Sequence, residues 1–94
     1  MSFFVYILAS RRNDTLYIGM TDNLARRVWE HQTSAISGFT KKYGVKLLVW
    51  YELHHSRENA FKRERQLKKW NRTWKLAIIE RSNPKWQDLT SQLV

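Results

Sequence analysis

At 94 residues the chain has room for one domain and not for two, and a hydrophobic share of 43% is enough to pack a core. Seventeen Lys and Arg against eight acids leave a formal charge of +9. That excess draws polyanions, nucleic acid first among them, with an anionic membrane surface or an acidic protein as alternatives. The absence of cysteine removes disulfides, thiolate catalysis and cysteine zinc sites together, and it fits a reducing compartment.

Phe3 to Ala9 is rich in aromatic and branched residues and predicts a strand. It is too short to span a bilayer and no basic residue precedes it, so neither anchor nor signal peptide is expected. A cytoplasmic protein that does not engage membranes follows as the expectation. Arg11-Arg12-Asn13-Asp14 supplies a turn, and Thr15 to Met20 returns as the second strand of an antiparallel hairpin. The expected register sets Tyr6 opposite Tyr17 and Leu8 opposite Thr15. Thr21 or Asp22 caps a helix that runs to about Gln32, with Leu24, Ala25 and Val28 as its apolar face. Thr33 to Gly44 reads as a loop. Val45 to Leu53 is apolar on both alternating faces, Leu47, Val49 and Tyr51 on one side and Leu48 and Trp50 on the other, which predicts a central strand covered on both sides.

Ser56 caps a helix to about Trp70, and Asn71 or Thr73 caps another to about Arg81, where Asn83-Pro84 ends it. The tail "NPKWQDL" is expected to dock Trp86 and Leu89 on the body. The order β-β-α-β-α-α predicts an α/β fold, a small three-stranded sheet flanked by helices, in one domain over residues 1–94.

Several side chains invite a chemical reading beside a structural one. Tyr6 and Tyr17 fall on one sheet face, where two phenols can share a site or simply pack. Arg27 and His31 are neighbours one helical turn apart, on the shoulder of the apolar face, while Arg26 points to solvent. Arg27 can lie along the core boundary and His31 can serve the helix dipole, without further role. Glu64 interrupts a stripe of Ala60, Phe61, Leu67 and Asn71. A carboxylate there is costly unless it is paired, with Lys68 or Arg57, or holds a cation. Lys62, Arg65, Lys69 and Arg72 form a separate basic stripe that can track phosphates or face solvent. Lys68 and the loop lysines Lys41 and Lys42, flanked by Phe39 and Tyr43, complete the expected nucleic-acid surface.

The segments "VYI", "YIG" and "TDNLARRVWEH", followed by "FTKKYGV", "ENAFKRERQLKKWNRTWK" and "NPKWQDL", resemble the GIY-YIG nuclease superfamily over nearly the whole chain. The likeness is to its small stand-alone members, which are similar to the nuclease domain of an excinuclease. By this resemblance Tyr6 and Tyr17 match the tyrosines of the two triplets. Arg27 matches the catalytic arginine, His31 a histidine found in some members, and Glu64 the metal-binding glutamate. Phe4 stands where the first triplet is named for glycine, and Met20 where some members carry a lysine. Asn71 is a candidate for the family's late asparagine. Larger members attach a separate DNA-binding domain, and none is expected here.

The resemblance implies a divalent cation, Mg or Mn, and an endonuclease that hydrolyses DNA phosphodiesters, structure-selective or acting in repair and recombination. A protein partner that supplies specificity fits the same picture. The alternatives are a non-catalytic nucleic-acid-binding module and a component of a larger nuclease complex. A phenol with its unperturbed pKa of about 10 needs a cation or an arginine to act as a base near neutrality. The residues leave open which tyrosine does so.

Overall fold

The computed structural model describes residues 2–33, 35 and 38–93. Two strands, β1 (Phe3–Ala9) and β2 (Leu16–Thr21), precede the helix α1 (Leu24–Gln32). A single turn of helix, α2 (Phe39–Lys42), leads to the strand β3 (Leu47–His54). The helices α3 (Arg57–Lys69) and α4 (Arg72–Ser82) follow, and a 3-10 segment over Leu89–Leu93 comes last. Within the span read as a loop, the structure places α2, and Gly38 before it adopts a φ of +109° that favours glycine.

The sheet order is β2-β1-β3, with both pairings antiparallel. The central strand is therefore β1, not β3 as its two-sided hydrophobicity suggested. β1 is buried at every position but Phe4. β3 is an edge strand, and its apolar run has a different cause. The pairing with β1 shifts between Ile7 and Leu8, so Ile7 faces Trp50 and Leu8 faces Leu48, with Val49 as the extra residue. Such a bulge breaks the alternation of faces. Val49 and Trp50 both join the cluster of Val5 and Ile7, whereas Leu48 packs with Tyr6 and Leu8. The expected placement of Leu48 and Trp50 on one face fails for this reason.

The bulge leaves backbone groups to satisfy, and the tail supplies partners. Asn83, itself buried, donates through Nδ2 to the Val49 carbonyl at 3.1 Å and to the Gln87 carbonyl at 2.9 Å. Asp88 Oδ1 accepts from the Leu48 N–H at 3.4 Å. Trp86 is buried at a φ of +54°, and its indole donates to Glu80 Oε2 at 3.2 Å. Leu89 packs on the smaller cluster. The tail is thus a brace on the irregular part of β3, as its expected docking required.

Helix starts follow local chemistry. Asn23, rather than Thr21 or Asp22, caps α1 by accepting from the Arg26 N–H at 3.2 Å, while Thr21 Oγ1 accepts from the Asn23 N–H. Ser56 caps α3, and Asn71 caps α4 by accepting from the Trp74 N–H at 2.9 Å. The two sheet faces differ. α3 and α4 cover Val5, Ile7 and Ile18 with Ala60, Leu67 and Ile79. α1 and the 3-10 segment cover Tyr6, Leu8 and Leu48 with Leu24, Val28 and Leu89.

Candidate active site

The hairpin register decides where the two phenols stand. Tyr6 lies opposite Gly19 and Leu8 opposite Tyr17, one step of two residues from the expected pairing. Both registers keep Tyr6 and Tyr17 on the same face, because a two-residue shift preserves the pleat. The phenols are diagonal neighbours with ring centroids 6.3 Å apart. The Tyr6 ring leans over Gly19, where an added Cβ would lie 2.5 Å from the phenol oxygen. The glycine of "YIG" is required by this close approach and not by its backbone conformation.

Leu24, Val28 and His31 form the buried stripe of α1 at i, i+4 and i+7. That places His31 inside, 4% exposed, rather than on the shoulder of the apolar face. Its Nε2 lies 3.3 Å from Tyr6 Oη, and its Nδ1 lies 3.0 Å from Oγ1 of the buried Thr40 on α2. The His31 ring also stacks obliquely on Tyr17 at 5.4 Å. Burial first, then the charge of Arg27, holds the imidazole below its usual pKa, against the opposing pull of Glu30. The ring is therefore neutral near pH 7.

Tyr6 is 1% exposed. Burial pushes its phenol well above the ordinary range, Tyr17 and Glu64 add to that, and Arg27 opposes it. Tyr6 keeps its proton throughout the physiological range. Arg27 emerges half-exposed from α1, with Nη1 3.4 Å from Glu30 Oε1. Partial burial lowers its pKa, but Tyr6 and Glu30 outweigh that and raise it. Arg27 lines a cleft of about 400 Å³ together with Asn23, Arg26, Glu30 and Arg57. Arg26 and Arg57 were not among the expected site residues. Arg26 faces solvent as expected, its side chain 74% exposed, and from there it borders the same cleft with Nε 3.7 Å from Glu30.

Glu64 rises from α3 on the opposite sheet face, beside the edge strand β2. Of the groups that act on the Tyr6 phenol, its charge contributes least, behind burial, Tyr17 and Arg27. Its side chain is 13% exposed, and Oε2 lies 3.6 Å from Lys68 Nζ. Arg57, the other expected partner, sits over the Phe3 ring at 4.9 Å instead. Phe61 is half-exposed, so the stripe around Glu64 is drier on the Ala60 and Leu67 side alone. Glu64 opens onto a groove shared with Arg65, Lys68 and Lys69. Lys68 also borders an adjoining groove of about 300 Å³ formed by Leu16, Tyr17, Ile18, Phe39 and Lys75.

Of the expected nucleic-acid surface, Lys41 and Lys42 stand exposed on α2, and Lys42 caps the Tyr43 ring at 5.4 Å. Phe39 links the loop aromatics to the site, 4.8 Å from Tyr43 and 6.3 Å from Tyr17. Lys62 pairs with Glu58 at 3.1 Å, Arg65 covers Phe61, and Arg72 donates to the Asp14 carbonyl at 2.6 Å. Asn71 is occupied as a helix cap. The basic surface is therefore divided: Arg65, Lys68 and Lys69 border the groove of Glu64, while Lys62 and Arg72 are engaged elsewhere. No helix among the described residues is long and apolar enough to cross a membrane.

The three-stranded antiparallel sheet with its flanking helices, carrying one tyrosine on each strand of the hairpin, places the chain in the class of GIY-YIG-type domains. The family model described as "GIY-YIG catalytic domain" matches residues 2–77, and the chain belongs to that family. Such a domain implies a nucleic-acid substrate. A "UPF0213 protein" of Clostridium perfringens is 30% identical over 96% of this chain and 96% of its own length. Another, from Desulfotalea psychrophila, is 37% identical over 86% of this chain and 74% of its own. The solution NMR structure of a UPF0213 protein from Bacillus halodurans superposes with a TM-score of 0.59 at 25% identity, covering 97% of this chain and 96% of that one.

Proposed function

We propose that the chain is a metal-dependent endonuclease that hydrolyses phosphodiester bonds of DNA. The observation that carries the reading is that Tyr6, Tyr17 and His31 meet at one corner, while Lys68, paired with Glu64, also borders the groove of Tyr17.

The residues present fit a hard divalent cation. Among the described residues no group of three or more His, Cys, Asp or Glu gathers, so Glu64 would be a single protein ligand. One carboxylate in an open groove suits Mg or Mn, which keep most of their waters and take further oxygens from phosphate. Lys68, 52% exposed at its side chain, pairs with Glu64 from the solvent side and would have to give way to a cation there. When bound, such a cation would neutralise charge on the phosphate and on the departing oxygen.

Arg27 would face the phosphate from the cleft wall and stabilise the charge that builds at phosphorus during in-line attack by water. Tyr6, which keeps its proton, would donate a hydrogen bond or hold His31 rather than act as base. Tyr17, half-buried beside Lys68 and Phe39, is left to take the proton from water. His31 is buried against Tyr6 and Thr40, which argues for a supporting role over a direct phosphate contact. Lys41, Lys42, Lys68 and Lys69 would hold the backbone on either side by charge.

A non-catalytic nucleic-acid-binding module is favoured by one observation, the Lys68 ammonium already on Glu64. Nicking of supercoiled and branched DNA with Mg or Mn separates the two. The nuclease reading expects cleavage by the wild type and none by Glu64→Ala. Equal traces from both, with undiminished DNA binding, would leave the binding module.

A further inference from the structure

Tyr6, His31 and Thr40 form a buried chain that joins three elements: the central strand β1, helix α1 and the one-turn helix α2. All three side chains are at most 4% exposed. Direction in this chain follows from what each group can give and take. The only group near the Tyr6 hydroxyl able to accept its proton, among the hydrogen bonds of the described residues, is His31 Nε2, at 3.3 Å. Arg27 acts on the same phenol oxygen, and a guanidinium carries donors only. The phenol proton therefore points at Nε2. A neutral imidazole has one donor and one acceptor nitrogen. With Nε2 accepting, the ring proton sits on Nδ1 and is donated to Thr40 Oγ1, 3.0 Å away.

We propose that Thr40 is a positioning residue: its hydroxyl fixes the Nδ1–H tautomer of His31, which directs the Tyr6 proton to Nε2 and leaves the phenol oxygen's lone pairs toward Arg27. Without that acceptor, the ring gains from moving its proton to Nε2. It then donates to the Tyr6 oxygen, and the phenol proton turns away from His31. The same contact ties α2, which carries Lys41 and Lys42, to the phenol. This rests on the reading of Tyr6 as part of a cleavage site only for its effect on rate; the tautomer itself is independent of any activity.

The imidazole nitrogens of the full-length, 15N-labelled protein at pH 7.5 provide the test. Wild type is expected to show His31 with a protonated Nδ1 and an unprotonated Nε2. Thr40→Val is expected to move the proton toward Nε2, and Thr40→Ser to restore the wild-type pattern. A wild type protonated at Nε2, or a folded Thr40→Val with the wild-type pattern, would overturn the proposal. If Thr40→Val does not fold, the wild-type tautomer and its retention in Thr40→Ser decide it. In the cleavage assay kcat of Thr40→Val should fall on the order of tenfold, one hydrogen bond's worth, with KM unchanged and Thr40→Ser rescued. A wild type that cleaves nothing would remove the nuclease reading and leave the tautomer result to judge Thr40.

Discussion

The two faces of the sheet are built on different terms. Against α3 and α4 the interior is mainly hydrocarbon, Val5, Ile7, Ile18, Ala60, Leu67 and Ile79, with Asn83 and the Trp86 indole as polar atoms at its margin. Against α1 the smaller cluster of Leu8, Leu24, Val28 and Leu48 shares its space with Tyr6, His31 and Thr40. The first face gains by removing apolar area from water. The second gives up part of that gain to hold polar atoms in fixed order, and it can do so because each finds a partner. No buried side-chain polar atom among the described residues lacks one. Apolar packing is therefore concentrated on one side of β1 and the buried polar chain on the other, while Glu64 stands apart in a groove with Arg65, Lys68 and Lys69.

Substitutions can break this contrast. On the hydrocarbon face Ile7→Ala is expected to cost about 2–5 kcal/mol of stability, read by chemical denaturation, because the closely packed site cannot collapse around the cavity. On the chemical face Arg27→Ala should slow cleavage by about 10²–10³, the scale for removing one charge-stabilising donor. Its effect on stability should be at most about 1 kcal/mol, since the Arg27–Glu30 pair is partly exposed.

Gly19→Ala sharpens the contrast, because it adds a single methyl group on the face of the phenols. Its Cβ would meet the Tyr6 oxygen at 2.5 Å, so the buried ring must shift. A loss of about 1–3 kcal/mol is expected from such overpacking, together with reduced cleavage and a changed Tyr6 ring environment by NMR.

A smaller effect is carried by pH. The folded state holds the His31 pKa below its unfolded value, so the contribution of the neutral ring is complete above about pH 6.5 and is lost as pH falls toward the folded pKa. Thermal midpoints should therefore decline from pH 7 to pH 5 in wild type, and the decline should flatten in His31→Gln. At the far end, Lys62→Ala breaks an exposed pair with Glu58 and should change stability by less than about 0.5 kcal/mol.

Much of the fold was written in local patterns. Strand and helix extents followed from periodicity, and Ser56 and Asn71 announced their helices as caps. The phenol pair survived a wrong register because pleat parity is the same in both. What escaped was set by long-range geometry. The bulge at Val49 depends on Asn83 and Asp88 from the tail, and no pattern within β3 encodes it. α2 is one turn long, too short for a periodic signal. His31 could have been placed from the Leu24, Val28, His31 spacing, which gives i, i+4 and i+7 directly. Thr40 gave no signal at all, since a hydroxyl near two lysines in a loop reads as solvated.

The central claim is that one cation site at Glu64 serves the corner where Tyr17 and Arg27 stand. Titration of the labelled protein with Mn, followed by paramagnetic broadening, addresses it most directly. The account predicts that signals of Glu64, Lys68 and Tyr17 broaden first, and that Glu64→Ala abolishes the effect while the fold is retained. Broadening centred on other acids, such as Asp22 or Glu58, with Glu64 and Tyr17 untouched, would contradict it.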